Sequence, residues 1–401
     1  MFDDRRMTSN VSRRSTVPWP RRILFGDVDA MFASAAVVKD PGLAGKPVAV
    51  GGPPPRGIIA AASYAVRAFG VRSAMPTIEA LRLCPGLILV PPDRPLYRRL
   101  HDQMRSVTDR LFPLTEWSSI DEFYADTTDL QTRYPDPVAL AQLTKRSIFD
   151  ATGLRCTIGV ATGKTVAKIA ADSHKPDGLA VVEPGTEPAF LRSRPLRALP
   201  GIGPKTAARL EPLGLTTIGD LLDERREQTL RRLFGSRLLW IRELAQGRDH
   251  EPVIADRESK SASHETTFDH DTDDRAFLEQ VVRGFLRALA RDLRQEGLAA
   301  ASCTVKLKDA RFVITTRQRP FPRPLDYDPA MWPTIRAALS DLLKPGTKYR
   351  LAGLALSSLT PAPPGLFDRR RSTAIAALDA LVARHGPGII GLGGVAPKDI
   401  D

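Results

Sequence analysis

The stretch ILFGDVDAMFAS, Ile23–Ser34, places two carboxylates, Asp27 and Asp29, in a run of otherwise apolar and small residues. The run predicts a buried strand at Ile23–Asp29 followed by a helix. A carboxylate buried in such a strand is unfavourable by several kcal/mol unless it is paired or bound to a metal ion. The sequence therefore predicts that other parts of the chain supply partners for these two acids.

A second acidic strand occurs at SSIDEFYAD, Ser118–Asp126, where Asp121 and Glu122 are adjacent in an apolar setting. These two acids and Asp27 can converge on hard cations, because Mg²⁺ favours carboxylate ligands together with substrate phosphates and water. Two such ions about 3.5–4 Å apart stabilise the attacking and leaving oxygens of a phosphoryl displacement. Each acid taken alone is explained as well by a turn cap or a water-facing position, so the prediction depends on all three.

The overall composition bounds the classes of function. The chain has 401 residues and a formal net charge of +12, which favours a polyanionic partner such as nucleic acid, although an arginine-rich soluble protein would show the same balance. No run of about 18 apolar residues occurs, so the sequence predicts no membrane span. The cysteines Cys84, Cys156 and Cys303 lie far apart, which fits neither a zinc site nor a disulfide framework and predicts a cytoplasmic location.

Patterns of strand and helix alternate from residue 23 to residue 182, which favours a mixed sheet with helices on one face. Two short helices around a Gly-x-Gly turn follow at Leu199–Asp223. After a polar linker, the pattern reads β-α-β-β-α-β, a compact two-layer unit. The long helix of this unit, Arg275–Gln295, carries apolar residues every four positions that are predicted to face the sheet: Phe277, Val281, Phe285, Leu289 and Leu293.

Six motifs follow one another between residues 23 and 222: DVDAMFAS, GKPVAVGG, SYAVRAFGVRSAMP, SIDEFYADTTD, GVATGKTVAKIAADSHKPDGL and LPGIGPKTAARLEPLGL. In this order they resemble the Y-family translesion DNA polymerases, and among these the DNA polymerase IV and kappa branch. The segments FGVRSAMP and KIAADSHKPDGL are long and specific, so a chance match is not a serious alternative. The resemblance implies an α+β, right-hand-like polymerase with palm, fingers, a helical thumb and a β-α-β-β-α-β little finger domain.

The resemblance and the composition of the chain ends together predict the domain boundaries. These are 1–20 (disordered basic lead-in), 21–29 and 94–182 (palm), 30–93 (fingers), 183–249 (thumb with helix-hairpin-helix), 250–259 (linker), 260–361 (little finger) and 362–401 (flexible C-terminal tail). In the tail, PPGLFD offers Leu366 and Phe367 as anchors of a degenerate sliding-clamp peptide. It lacks the usual glutamine, and a polar linker is the alternative.

The resemblance assigns roles to the acids. Asp27 and Asp121 would bridge two Mg²⁺ ions, with Mn²⁺ as an alternative metal, and the Val28 carbonyl would complete the ion that binds the nucleotide. Glu122 would hold the catalytic ion beside the primer 3′-OH. The family pattern gives Asp29 no firm metal role, and a solvated or hydrogen-bonded acid at the strand end explains it at least as well.

Four further residues match family positions around the incoming nucleotide. Tyr64, Arg67 and Lys175 would grip the triphosphate, which needs cations and donors, and arginine matches phosphate geometry in a fork. Phe32 would lie under the sugar as a steric gate. The alternatives are surface charge for Arg67 and Lys175 and core packing for Phe32. Lys164, Lys168 and Asp172 share a helix face with Lys175 but are assigned only to bracing that helix.

Two regions are predicted to bind DNA. The turn GIGPKT matches a helix-hairpin-helix, whose glycines let backbone N–H groups approach a phosphate, and it contributes Gly201, Gly203 and Lys205. In the last domain, Lys306 and Lys308 alternate with apolar residues, and Arg311 and Arg317 are expected on one face of the next strand, opposite Phe312 and Ile314. A cationic strand face suits a duplex backbone, although a merely solvated sheet face has the same pattern.

Two classes of function remain. The first is a low-fidelity, template-directed DNA polymerase of translesion synthesis and repair, acting as a monomer on primer–template DNA and dNTPs. The second is a non-catalytic DNA-binding or polymerase-accessory protein on the same fold. The chain keeps all three carboxylates together with Tyr64, Arg67 and Lys175, which favours the enzyme.

Overall fold

The computed structural model of the chain describes residues 18–255 and 258–362, together with 377, 380, 381 and 384. The chain divides into two compact units, Met1–Arg257 and Glu258–Asp401, called the first and second unit below. The predicted clamp-binding residues Leu366 and Phe367 lie outside the described residues. Among the residues that are described, no helix has the length and apolar character needed to cross a membrane.

The first unit contains two sheets. Its strands are β1 (Ile23–Val28), β2 (Val48–Gly51), β3 (Ile59–Ala62), β4 (Ile88–Val90), β5 (Thr115–Trp117), β6 (Glu122–Asp126), β7 (Cys156–Ala161) and β8 (Leu179–Val181). The larger sheet has the order β5-β6-β1-β7-β8 and the smaller one the order β3-β2-β4. Strand β1 pairs antiparallel with both of its neighbours, so the acidic strand lies in the middle of the larger sheet.

Helices surround these sheets. In the first unit they are α1 (Met31–Lys39), α2 (Tyr64–Arg67), α3 (Thr77–Leu83), α4 (Arg94–Leu111), α5 (Pro137–Thr152), α6 (Lys164–Asp172), α7 (Glu187–Arg192), α8 (Pro204–Leu210), α9 (Glu227–Phe234) and α10 (Leu238–Ala245). Asp93 and Asp136 directly precede helices α4 and α5. Their side chains accept hydrogen bonds from backbone N–H groups of the first turn, as expected for N-caps.

Both faces of the larger sheet are covered. Leu24 of β1 packs in one core with α4 and α5, whereas Ile23 and Phe25 pack in a second core with α6. The expectation of helices on one face only is therefore wrong, because α6 returns over the other face. Helix α6 packs very close to β7. A Cβ at Gly159 of β7 would lie 2.0 Å from the Ala167 carbonyl oxygen of α6, so only glycine fits there.

A buried ion pair joins α6 to the edge of the sheet. The Lys164 ammonium group lies 2.5 Å from the Glu116 carboxylate, and the two side chains are only 6% and 4% exposed. The same carboxylate accepts from the backbone N–H of Ile254 at 2.9 Å, and Asp249 accepts from the N–H of Thr165 at 2.8 Å. Asp249 thus binds the N-terminus of α6, and the predicted linker that follows it contacts the buried pair through Ile254 and through Glu251, which lies 3.6 Å from Lys164.

Glu116→Ala is expected to destabilise the first unit by about 3–5 kcal/mol, because the Lys164 ammonium group stays buried without its main partner. The check is urea denaturation followed by tryptophan fluorescence. Glu243→Ala is the matched control, since it breaks an exposed pair with Arg248 and should change stability little. Equal, small losses in the two variants would contradict a structural role for the buried pair.

The second unit has the predicted β-α-β-β-α-β order. Its elements are β9 (Ser261–Thr272), α11 (Arg275–Gln295), β10 (Leu298–Asp309), β11 (Ile314–Leu325), α12 (Asp328–Leu342) and β12 (Tyr349–Pro361). The strands form an antiparallel sheet with the order β11-β10-β12-β9, and both helices share one core with it.

The buried face of α11 differs in part from the prediction. Val281, Leu289 and Leu293 are buried, but Phe277 is 39% exposed and Phe285 is only partly buried. Residues at intermediate positions are buried as well: Leu278, Val282 and Leu286. Four residues turn a helix by about 40° more than one full turn, so the members of a strict four-residue series spiral around the helix and cannot all face one core.

Candidate active site

The three predicted carboxylates meet at one end of the larger sheet. Asp27 of β1 and Glu122 of β6 are directly opposite in the antiparallel register. The backbone N–H of Val28 donates to the Asp121 carbonyl oxygen at 3.0 Å, which holds Asp121 beside them. Asp121 is further fixed by the Ser119 hydroxyl, which donates to its carboxylate at 2.5 Å. The strand register that the sequence could only suggest therefore places the three acids together.

The environment of Asp27 disfavours its charge. The residue is 5% exposed. Burial is the main cause that raises the pKa of Asp27 to about 7, and the neighbouring carboxylates of Glu122 and Asp121 raise it further, while Lys175 acts in the opposite direction. A cluster of this kind needs positive charge to be fully ionised at neutral pH.

Two lysines supply positive charge in the structure. The Lys175 ammonium group donates to the Asp27 carboxylate and lies 2.9 Å from Asp172. Lys168 of α6 lies 2.6 Å from Glu122. Although burial opposes it, the carboxylate of Asp27, with that of Asp172, raises the pKa of Lys175, so this lysine is charged. Lys168, assigned from the sequence only to bracing the helix, therefore reaches the site. In the sequence, the four-residue spacing between Lys168 and Asp172 was the feature that could have indicated its position at the site.

The donor set fits a divalent cation such as Mg²⁺. It consists of carboxylate oxygens and the adjacent Val28 backbone, which are the hard ligands that this ion prefers. Within the described part of the chain, no three acidic, histidine or cysteine side chains are already arranged to hold a metal ion. The carboxylates of Asp27 and Glu122 instead contact lysines, which shows that the cluster attracts cations.

The predicted triphosphate residues flank this cluster. Tyr64 and Arg67 lie on α2, where the guanidinium of Arg67 stacks over the Tyr64 ring at 4.4 Å. The Tyr64 hydroxyl donates to Asp29 at 3.2 Å, while Lys175 contacts Asp27. Burial and then the charge of Asp29 raise the pKa of Tyr64, so its hydroxyl stays protonated and able to donate. Asp29 itself is buried and hydrogen-bonded, in agreement with the interpretation of this residue as a hydrogen-bonded acid at the strand end.

Phe32, in the first turn of α1, has one side in the core. Its ring stacks on Tyr97 with centroids 4.3 Å apart and planes at 24°. The side chain is half-buried, whereas the preceding Met31 is only 2% exposed. Of these two neighbours, Phe32 is thus the one with a surface available to a ligand.

A groove next to Lys168 includes the helix-hairpin-helix turn. Gly201 has a φ of +89°, and Gly203 precedes the first turn of α8, which carries the exposed Lys205. The groove is also lined by two arginines that sequence reasoning missed, Arg194 and Arg197. Their position just before the GIGPKT turn was the only signal for them in the sequence.

The basic residues of the second unit do not share one face. Lys306 and Lys308 of β10 alternate with the buried Val305 and Leu307, so they lie on the sheet face away from the helices. Arg317 is opposite Val305 in the register and pairs with Asp341 of α12 at 3.2 Å. The expectation that it points away from the core is wrong.

The turn between β10 and β11 explains this difference. Arg311 and Phe312 lie in the turn, Phe312 with a φ of +65°, so the alternation of β11 starts only at Ile314. Ile314 is 52% exposed and is opposite Lys308, on the face away from the helices.

Comparison with known proteins gives the family. Residues 26–172 match the model of the impB/mucB/samB family, residues 259–367 its C-terminal domain, and residues 184–215 the IMS family HHH motif. The DNA polymerase IV of Methanoculleus marisnigri is 40% identical over 346 residues, which cover 84% of this chain and 94% of the relative. The chain belongs to the impB/mucB/samB family. The DNA polymerase IV of Gluconobacter oxydans is 38% identical and covers 86% of this chain and 97% of the relative.

Solved structures agree with membership of the impB/mucB/samB family. A Y-family DNA polymerase chimera has a TM-score of 0.75 at 28% identity, covering 84% of this chain and 98% of the chimera. An insertion ternary complex of Dbh DNA polymerase has a TM-score of 0.61 at 27% identity, with the same two coverages. The resemblance to Y-family polymerases is confirmed, and so are the α+β polymerase fold and the DNA-directed DNA polymerase function. The accessory-protein alternative is not favoured.

Proposed function

We propose that this chain adds dNTPs to a primer 3′-OH by two-metal nucleotidyl transfer in low-fidelity translesion synthesis and repair, with its chemistry at Asp27, Asp121 and Glu122. The observation that supports this site most directly is the meeting of the three carboxylates at one sheet end, with the pKa of Asp27 raised to about 7. Primer extension with Mg²⁺ and all four dNTPs tests the activity, and the acid variants considered in the Discussion test the site.

Two Mg²⁺ ions, or Mn²⁺ in their place, would be held by the three carboxylates and the Val28 carbonyl. When bound, such ions act as Lewis acids that neutralise charge developing on the phosphate oxygens. Lys175, Tyr64 and Arg67 would bind the triphosphate, supported by their position around the acids of β1 and by the protonated Tyr64 hydroxyl. Phe32 would contact the sugar with the exposed part of its side chain.

Primer–template DNA would be bound through phosphate contacts in both units. In the first unit, Gly201 and Gly203 would offer backbone N–H groups, and Lys205 would add a positive charge. In the second unit, Lys306 and Lys308 lie on the sheet face away from the helices, where Lys306 pairs with Glu265 at 2.7 Å and Lys308 is opposite Ile314, and Arg311 lies in the adjacent turn. Arg317 would contribute less, because it lies on the other sheet face, where it pairs with Asp341 of α12.

Removing Lys306 and Lys308 together is expected to weaken primer–template binding and to lower the slope of log Kd against log salt by about two. The physical reason is that each phosphate contact releases about one counterion. Arg317→Ala, tested singly, is the matched control from the opposite sheet face and should change the slope by less than one lysine does. Fluorescence anisotropy with a labelled duplex at several salt concentrations measures both effects. A larger effect of Arg317→Ala would assign the DNA to the helix side.

The remaining partners are proposals at the level of the whole chain. Two similar solved structures are an insertion ternary complex and a post-insertion binary complex of Dbh DNA polymerase, which supports primer–template DNA and an incoming dNTP as ligands here. That the protein acts as a monomer and that it is located in the cytoplasm are further proposals. The cytoplasmic location is supported by the three free, buried cysteines. The sliding clamp is proposed as a partner from Leu366 and Phe367 alone.

A further inference from the structure

Asp29 lies at the centre of a hydrogen-bond network that the proposed chemistry does not use. It follows directly after β1 and is only 5% exposed. Its carboxylate accepts from the Tyr64 hydroxyl at 3.2 Å, from the Thr157 hydroxyl at 3.0 Å and from the backbone N–H of Asp177 at 2.8 Å. These partners come from α2, from β7 and from the turn after α6, so one carboxylate joins three separate elements of the first unit.

The first arm of the network fixes the proposed triphosphate residues of α2. Helix α2 has only four residues, so its own backbone hydrogen bonds do little to hold it. The hydrogen bond to Asp29 fixes the Tyr64 ring, and Arg67 stacks on that ring at 4.4 Å. Asp29 therefore holds Tyr64 directly and Arg67 through it.

The second arm fixes the turn that carries Lys175. Asp29 accepts from Asp177, and the Thr157 hydroxyl accepts from the backbone N–H of Gly178 at 3.2 Å. The turn is tight, since a Cβ at Gly178 would lie 2.0 Å from the His174 carbonyl oxygen. On its other side, the Asp177 carboxylate pairs with Lys145 at 2.8 Å and Arg155 at 2.6 Å. The backbone from which Lys175 projects is thus held on both sides.

We propose that Asp29 is a positioning residue that holds Tyr64 and Lys175 in register, and thereby sets the affinity for the triphosphate of the incoming nucleotide. The inference rests on the proposed roles of these two residues. Contacts made equally in the ground state and the transition state change KM and leave kcat unchanged. A fixed arrangement of ligand-binding groups also lowers the entropy lost when the ligand binds. Asp29 should therefore affect KM for dNTP far more than kcat.

The first test is steady-state kinetics of dCTP insertion opposite template G by Asp29→Ala and Asp29→Asn. Alanine removes all the acceptors and should raise KM by about tenfold or more, with kcat changed by less than about threefold. Asparagine should have an intermediate effect. Its carbonyl can still accept from Asp177, and the hydroxyls of Tyr64 and Thr157 can turn to accept from its NH₂ group.

The matched control is Asp126→Asn, at the other end of the β1–β6 pair. The Asp126 carboxylate accepts from the N–H and hydroxyl of Thr128 at 3.0 and 2.6 Å, contacts within its own loop. KM and kcat should stay at the wild-type values in this variant. Thermal unfolding and the Kd for primer–template DNA are measured for every variant.

A double-mutant cycle with Tyr64→Phe separates positioning from general stabilisation. Because Tyr64→Phe removes the hydroxyl that Asp29 holds, its effect on KM should be smaller in the Asp29→Asn background than in wild type. Purely additive effects, or a fall in kcat at constant KM, would overturn the proposal. If Asp29→Ala does not fold, Asp29→Asn alone decides the question.

The outcome also distinguishes this inference from the proposed nucleotide site. If Arg67→Ala and Lys175→Ala raise KM for dCTP but a folded Asp29→Ala does not, only the positioning role is wrong. If none of the three variants changes KM, the triphosphate site itself is wrong and the inference fails with it. An increase of KM in all three supports both.

Discussion

Replacing Asp121 or Asp27 with alanine is expected to abolish primer extension and to leave primer–template binding nearly intact. The three acids at the end of β1 and β6 are the proposed oxygen ligands of the metal ions, so the loss of one should remove stabilisation of the transition state. DNA affinity is expected to come mainly from the proposed phosphate contacts elsewhere in the chain. Gel-based extension with Mg²⁺ and four dNTPs, together with anisotropy measured at one salt concentration, separates the two quantities.

The Asp27→Ala variant is expected to fold. Because burial already disfavours the charge of Asp27, removing its carboxylate relieves an unfavourable burial, and Lys175 keeps Asp172 as a partner at 2.9 Å. Asp126→Ala, at the far end of β6 from the cluster, is the control, since it removes an acid remote from the cluster and should keep full extension. Extension by Asp27→Ala or Asp121→Ala above a few per cent of wild type would remove these acids from the catalytic centre.

The sequence predicted features that depend on local pattern. Helix α11 begins after Asp274, whose carboxylate accepts from the N–H groups of Ala276 and Phe277, and it ends just before Gly297 with its φ of +67°. A capping acid and a glycine are visible in the sequence, which is why the predicted bounds Arg275–Gln295 match the structure. The two acidic strands were visible in the same way, as carboxylates within apolar runs.

Features that depend on distant pairing were not predictable. Asp29 finds its partners 35, 128 and 148 residues away along the chain, so no local pattern could show whether it is solvated or held. The pair of Lys168 and Glu122 depends on the packing of α6 over the sheet. Gly159 permits this packing, but a glycine in the sequence does not by itself predict it.

The sheet face on which Arg317 lies is a third feature that could not be predicted from the sequence. Strand alternation defines two faces, but the length of the preceding turn decides which one points inward, and a shift of one residue reverses every side chain.

The second large effect is expected at Phe32. Phe32→Ala should change the ratio of kcat/KM for dCTP to that for rCTP opposite template G by about 10- to 100-fold in favour of rCTP. One face of the ring is fixed against Tyr97 at 4.3 Å, and the half-buried side chain keeps another surface free. If the ring lies under the sugar as proposed, it would leave no space for a 2′-OH, and steric exclusion acts on the wrong substrate without weakening the right one.

The alternative is that Phe32 only fills the core beside Tyr97. In that case alanine would leave a cavity that costs about 3–5 kcal/mol of stability and would depress both substrates alike. Met31→Ala is the matched control, because Met31 is the adjacent residue in α1 and is 2% exposed. It should lower stability and both activities with no change in their ratio. If a folded Phe32→Ala variant behaves like Met31→Ala, the ring belongs to the core, and the proposed contact between α1 and the sugar is wrong. A changed ratio in Phe32→Ala alone would place the exposed part of the ring against the nucleotide, because a general loss of packing should depress both substrates, which differ by one hydroxyl, to the same extent.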